Sequence, residues 1–499
     1  MLIENPRIGA ILKETYYSKL WKVNPQELFL PYSPLNNNSI GIRPCSASVE
    51  DCSFGDSGKG SVVQKLNNLM TKEIYSRTLY SYRYNGSRNA GHEIKFGNEK
   101  IAFHQLPVAS IQEGAVAIMG KGMLIHPEDL CTEIKYVESK IKGYLPSTLL
   151  IDENAIVTTN LHSAFETFTN NKLDVGHGAT GSGVAQGYAT LYEKRALTIK
   201  DLISEDWKEK FASQYKYYSD LMGGDEVLSS TIVNLLTEEG NRNKKPVGTI
   251  NEFLDSLEEA RKNLRGYVAK DVRYIVEDVW KHSYSPFTFE GAQGGALDPY
   301  YGVYPDITAS RPIGQIGIPD STEGVVHHDQ IAMTLSVIKI PYMSSVGARV
   351  HPYSMSEEVA RMYRKENDET GRSTGRDRGI YPIDLVAMSA IRDAARYKYL
   401  AVTHLDSNHQ DIPIEIITHY TNKITGEVEQ YRPYQWHWDQ VEGHVEKLPS
   451  WDGKAVANAR SVSELPPNCL KFLSFLSRVL APVAIATNGP ELGQQISFF

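Results

Sequence analysis

The stretch Phe54-Gly55-Asp56-Ser57-Gly58-Lys59-Gly60 sets a carboxylate and an ammonium group among three glycines. Glycine lets backbone N–H groups approach oxygens closely, a helix N-terminus adds partial positive charge, and lysine adds a full one, so this composition suits phosphate. Val62, Val63, Leu66, Leu69 and Met70 follow at helical spacing, which predicts a strand-turn-helix entry. The loop is not a standard P-loop: GxxxxGK followed by Ser or Thr would require glycine at Ser53 and a hydroxyl at Gly60. Asp56 is the unusual member, because a carboxylate among anion-binding groups is unfavourable unless a metal ion offsets it or a proton passes through it. An ordinary Gly/Asp surface turn is the alternative reading.

Five further stretches carry chemistry. Tyr84 to His92 packs small residues, amides and an imidazole into a loop; His92 beside Gly91 can donate a proton or a hydrogen bond, or be a plain surface histidine. Gly176 to Gly183, with Lys194 and Arg195 downstream, offers backbone amides, the Thr180 hydroxyl and cations to a second phosphate, or else is only a flexible connection. Phe289 to Gly295 presents Gln293 to a purine or ribose edge and is closed by Tyr304 to Thr308. Gly371 to Arg378 is a cationic loop able to fork onto carboxylates or phosphates, or a solvated charge run. Thr403-His404-Leu405-Asp406 ends an apolar run, where α/β sheets bind ligands. A carboxylate there accepts from N1–H and the 2-amino group of guanine, which adenine does not offer, although Asp406 could equally cap the next turn. Trp436-His437-Trp438 reads as packing rather than a ligand site.

Positioning these residues calls for a large sheet. Apolar runs at Ala115–Met119, Leu149–Ile151 and Tyr399–Thr403 read as buried strands, and their alternation with helical patterns predicts an α/β fold with a mostly parallel sheet flanked by helices. Its atypical glycine-rich phosphate loop makes it P-loop-NTPase-like. Between about 203 and 280 the composition turns charged and helical, a helical insert with Phe253, Leu254, Leu257 and Ala260 on one face. The polar run Pro34 to Ser39 reads as a linker closing an N-terminal extension, so the expected organisation is 1–39 as extension and 40–499 as catalytic domain.

Of the 499 residues, 41% are hydrophobic and 22% charged, as in a soluble globular chain. A net charge of −8 argues against a general nucleic-acid binder, which needs a basic face. Cys45, Cys52, Cys131 and Cys469 form no CxxC pair, so neither disulfides nor structural zinc are expected, and a reducing cytoplasm fits. No signal peptide is expected, since Glu4, Pro6 and Arg7 interrupt the start, and no membrane span, since Arg478 and Pro482 break Phe472–Ala486.

Taken in order, these stretches resemble the adenylosuccinate synthetase family. That family's WGDEGKG, NNAGH, GTTGRG, FEGAQG with YPxVT, TTGRxRR, TKLD and STGP motifs correspond to FGDSGKG, SRNAGHEI, GATGSGVAQGYATLYEKR, FEGAQGGALDPYYGVYPDIT, STGRDR, THLD and Thr487-Asn488-Gly489-Pro490. His104 to Pro107 and Leu448 to Trp451 are also similar. The resemblance implies a cytoplasmic, Mg²⁺-dependent, homodimeric ligase of purine biosynthesis joining L-aspartate to IMP with GTP. It implies Asp56 as the base that takes the N1 proton of IMP, so that the 6-oxo group attacks the γ-phosphate, and His92 as the acid. Ser57, Gly58, Lys59, Gly60, Arg378, His404, Asp406, Thr487 and Gly489 correspond to GTP-binding positions. Asp56, Asn89, Thr180, Lys194, Arg195, Gln293 and Thr308 correspond to IMP-binding ones, Ser373, Thr374 and Arg376 to aspartate-binding ones, and Asp56 with the Gly91 carbonyl to the magnesium shell. Four positions depart from the pattern: Ser57 for glutamate, Ser182 for arginine, Lys194 for an arginine that crosses to the neighbouring subunit, and His404 for lysine. They leave open a dGMP- and ATP-using relative that makes 2-aminoadenylosuccinate, and a catalytically silent nucleotide sensor.

Overall fold

Arg43–Asp51 forms a central strand, β1, whose last residue leads directly into the glycine turn. A computed structural model describes residues 6–36, 41–73, 77–141, 143–173, 180–345, 349–370 and 377–499. In it β1 joins β2 (Tyr80–Arg83), β3 (Val116–Met119), β4 (Thr148–Asp152), β5 (Val268–Ala269), β6 (Phe287–Glu290), β7 (Ile331–Lys339), β8 (Tyr399–Thr403), β9 (Val483–Thr487) and β10 (Gln495–Ser497). The order across the sheet is β5-β4-β3-β2-β6-β1-β7-β8-β9-β10. Every neighbouring pair is parallel except β9 with β10. The three apolar runs picked out as strands are β3, β4 and β8.

A parallel sheet is covered on both faces, so its middle strands bury every side chain. β7, β8 and β9 are buried throughout. β1 is nearly so, yet ends in Glu50 and Asp51: Asp51 pairs with Lys59, while Glu50 Oε2 accepts from Gly314 N at 2.7 Å and its Oε1 has His328 Nε2 at 3.5 Å. On either side of β1 the chain builds outward in opposite directions. Such a reversal opens a crevice beyond the strands' carboxyl ends. Asp51, Arg83, Glu290, Lys339, Thr403 and Thr487 mark those ends.

α1 (Pro6–Leu12) buries Ile8 and Leu12 in a core cluster shared with Phe472, Phe475 and Leu476 of the helix Pro467–Val479. Leu30 N donates to Phe498 O at 2.6 Å, so the N-terminal residues are stitched to the chain's last strand region. Of the expected linker, Pro34–Asn36 forms a short turn and residues 37–40 lie outside those described. α2 (Lys59–Glu73) starts on the glycine turn and buries Val62, Val63, Leu66 and Met70 in the cluster that holds Ala47 and Val49 of β1. The 203–280 stretch folds as helices Trp207–Met222, Asp225–Ser230, Ile250–Leu264 and Val272–His282. It also carries a hairpin, Ile232–Leu236 with Arg242–Pro246, that the composition did not announce. All four cysteines are free. No helix among the described residues is long and apolar enough to cross a membrane.

Candidate active site

The loops after β1, β2, β6, β8 and β9 converge on one cavity of about 1010 Å³. Its lining includes Gly55 to Gly60, Asn89, Gly91, His92, Thr180, Gln293, Thr308, Arg378, His404, Asp406, Thr487 and Gly489. Residues chosen for their chemistry from well-separated stretches thus share one space.

Backbone demands set the glycine turn. Gly55, Asp56 and Gly58 have φ of +88°, +53° and +83°, the left-handed region that glycine enters without strain and aspartate tolerates. At Gly60 a Cβ would sit 2.9 Å from His92 Cβ and 3.1 Å from the His92 carbonyl carbon, so glycine lets α2 abut the histidine. Lys59, 4% exposed, donates to Asp51 Oδ2 at 3.1 Å, while Asp51 Oδ1 accepts from Ser53 N and Oγ at 2.7 and 2.8 Å. Ser57 Oγ turns inward and donates to Gly55 O at 3.1 Å, so this residue's contact with a ligand falls to its backbone.

His92 is fixed by a charge from another strand. Its Nδ1 lies 2.6 Å from Glu290 Oε1, and Glu290 Oε2 accepts from Val108 N at 2.9 Å. Burial lowers the His92 pKa, with the Glu290 carboxylate opposing and Arg83 and Lys59 reinforcing the drop. Among the described residues, the buried atoms His92 Nε2, Asn89 Oδ1 and Gln293 Nε2 have no hydrogen-bond partner. Unsatisfied buried polar atoms cost free energy. Their gathering at one cavity marks a ligand site. Gln293 Oε1 accepts from Ser310 Oγ at 2.8 Å, which leaves the amide nitrogen to the cavity ligand.

Arg378 Nε stands 3.1 Å from Asp56 Oδ2, and Arg378 Nη1 donates to Glu369 Oε2 at 2.7 Å. Glu369 Oε1 in turn receives Lys339 Nζ at 2.5 Å and Tyr342 Oη at 2.7 Å. Burial would raise the Glu369 pKa, but Lys339 and Arg378 hold it down to about 2. Asp56 itself is 28% exposed and open to a ligand. At the far end Thr403 Oγ1 donates to Ser57 O at 2.7 Å, so His404 Nδ1, 2.9 Å away, must donate to that hydroxyl. Burial holds His404 at about 4, so it is a neutral ring. Burial also pushes Asp406 up, opposed by its own backbone N–H and by Lys65. Lys65, buried and lowered to about 8, donates to Ser61 Oγ at 2.8 Å and Gly489 O at 3.3 Å.

Other expected residues stand apart. Lys194 is exposed at φ +60°, and Arg195 lies over Tyr217 at 4.1 Å and pairs with Glu193; neither lines the cavity. Ser182 is buried, and its carbonyl accepts from Arg88 Nε at 3.3 Å. Ser373, Thr374 and Arg376, and residues 174–179 of the second glycine loop, lie outside the described residues. Trp438 packs on Phe54 and His351, with ring centroids 6.2 and 5.0 Å away. Sequence reasoning missed Asp51, Lys65, Arg349, Glu369 and the Glu290 to His92 pairing. Only Glu290, inside a motif, carried any local signal.

A family model described as adenylosuccinate synthetase matches residues 49–496. An adenylosuccinate synthetase of Leuconostoc mesenteroides is 30% identical over 432 residues, covering 86% of this chain and 92% of its own. The Theileria parva protein of the same description is 26% identical over 443 residues, covering 87% and 94%. A solved structure of fully ligated adenylosuccinate synthetase from Plasmodium falciparum shares the fold, with a TM-score of 0.77 at 22% identity over 90% of this chain and 99% of that one.

Proposed function

The chain belongs to the adenylosuccinate synthetase family, and from that membership we propose that it converts IMP, L-aspartate and GTP into adenylosuccinate, GDP and phosphate. The Asp56 carboxylate takes the N1 proton of IMP, and the 6-oxo oxygen attacks the γ-phosphorus as GDP leaves. The amine of aspartate then adds at C6 and phosphate departs with the oxygen. His92, oriented by Glu290, directs Nε2 at the oxygens on which charge develops. Lys59 and the backbone of the glycine turn hold the phosphates. Asp406, between His404 and Gly489, reads guanine, with Thr487 and Arg378 completing the triphosphate site. Asn89, Thr180, Gln293 and Thr308 hold the monophosphate nucleotide, and Ser373, Thr374 and Arg376 receive aspartate.

The observation that carries this reading is that Asp56, on the turn after β1, and His92, the first residue of the strand His92–Phe96, line one cavity with Lys59. Mg²⁺ fits the donors there: the Asp56 carboxylate and the Gly91 carbonyl are hard oxygens, and the ion commonly takes one or two carboxylates together with substrate phosphates. Bound, it supplies charge that offsets the phosphate oxygens. The working unit is a cytoplasmic homodimer in which residues 40–499 form the catalytic domain with an insert at 203–280. Exposed Lys194, beside exposed Leu191 and Tyr192, faces the second copy, with Arg195 supporting it.

The test offers wild-type protein and Asp56→Asn IMP, aspartate, GTP and Mg²⁺, with the product identified by mass. Wild type should give adenylosuccinate, and the variant should lose about 10²- to 10⁴-fold in turnover while still binding both nucleotides. Absence of succinylated product from wild type sinks the reaction; full activity in the variant sinks the base assignment.

A further inference from the structure

Arg349 belongs to none of the motifs, yet it lines the cavity with only 2% of its side chain exposed. Nη2 donates to the Asp306 carbonyl at 2.9 Å. Nε stands 3.8 Å from Asp306 Oδ2, beyond hydrogen-bond reach. Among the described residues neither Nε nor Nη1 has a hydrogen-bond partner. Phe54 lies beneath the guanidinium at 4.1 Å, fixing its plane. Arg378 is held more closely, in ion pairs of 3.1 and 2.7 Å with Asp56 and Glu369, although its Nε likewise makes no hydrogen bond among the described residues. A buried guanidinium with unmade N–H bonds is costly unless something completes them. Its planar fork matches an oxyanion.

Resting on the function proposed above, we propose that Arg349 is a receptor for a substrate oxyanion: either the phosphate monoester of the purine nucleotide or a carboxylate of L-aspartate. Nη1 and Nε donate to that group, and Arg349 sets affinity for that substrate and not for the triphosphate. Gln293 and Thr308 line the same cavity and offer partners to the ligand's remaining polar groups.

The experiment measures IMP, inosine and GTP binding by calorimetry and the aspartate KM by initial rates, for wild type, Arg349→Met and Arg349→Lys. If the anion is the phosphate, Arg349→Met weakens IMP roughly 10- to 100-fold and leaves inosine and GTP unchanged. If it is the carboxylate, the aspartate KM rises by that factor and IMP binding holds. Arg349→Lys, with charge but no fork, should recover part of either loss. Should Arg349→Met fail to fold by circular dichroism, Arg349→Lys decides: a loss above about threefold confined to one substrate supports the assignment, and anything smaller or shared with GTP overturns it. Wild type that binds neither IMP nor aspartate overturns both readings. A working wild type beside an unaffected Arg349→Met overturns this one alone.

Discussion

Replacing Glu290 with glutamine tests what the buried carboxylate does for His92. Glutamine keeps the shape but offers one acceptor oxygen where the carboxylate offers two: to accept from His92 Nδ1, 2.6 Å from Oε1, it must turn its amide nitrogen toward Val108 N, 2.9 Å from Oε2. The charge is lost, and with it the hydrogen bond from Val108 N. A hydrogen bond to a charged group is worth about 1.5–3 kcal/mol against about 0.5–1.5 for a neutral one, so the variant gives up about 1–2 kcal/mol of support for an imidazolium. At 1.36 kcal/mol per decade, that is about 5- to 30-fold in kcat. The pH profile gives an independent sign. Burial already holds His92 below its ordinary range, Arg83 and Lys59 push it further down, and Glu290 pulls it up. Activity that needs protonated His92 is present below its pKa and is lost as pH rises through it. Removing Glu290 lowers that pKa, so the alkaline limb of kcat must move to lower pH, with the KM for IMP and GTP little changed. The assay is kcat across pH for both proteins, product quantified by chromatography. A kcat within twofold of wild type, or a limb that moves to higher pH, would refute the assignment of His92 as the acid held by Glu290.

Asp406→Asn removes the acceptor that separates guanine from adenine, so the KM for GTP should rise about 10- to 100-fold while that for ATP stays level; equal changes for both nucleotides would remove Asp406 from base recognition. Gly60→Ala drives a methyl to 2.9 Å from His92 Cβ. Overpacking of this kind costs about 1–3 kcal/mol, and because α2 and His92 must separate, kcat should fall more than stability alone explains; a thermal melt beside the rate decides. Leu12→Ala cuts a fully buried side chain from the cluster under the Pro467–Val479 helix. The expected loss is about 2–5 kcal/mol with KM values intact, and an unshifted urea midpoint would show that α1 lies outside the cooperative unit.

What could be read in the sequence divides along a physical line. A fully buried parallel strand is an apolar run whatever its neighbours, so β3, β4 and β8 were visible. Turns with φ above zero and close packing of a helix on its neighbour favour glycine, so Gly55, Gly58 and Gly60 announced the turn that lines the cavity. The hairpin strand Arg242–Pro246 has no such signature, being polar and largely exposed along its length. The groups that aim the site's functional atoms are selected by distance in space. Lys65 reaches a carbonyl 424 residues further on, and Glu290 meets an imidazole 198 residues earlier. Either pairing works from any chain position that delivers the atom, so nothing local betrays it. Arg349 is the extreme case: beside Phe54 and Asp306 two of its donors make no hydrogen bond among the described residues, and only the assembled cavity brings it into the lining. Side chains carried on glycine-rich turns and at the ends of apolar strands are therefore the legible part of such a site. The charges that hold them in place become visible only once the sheet has brought its carboxyl ends together.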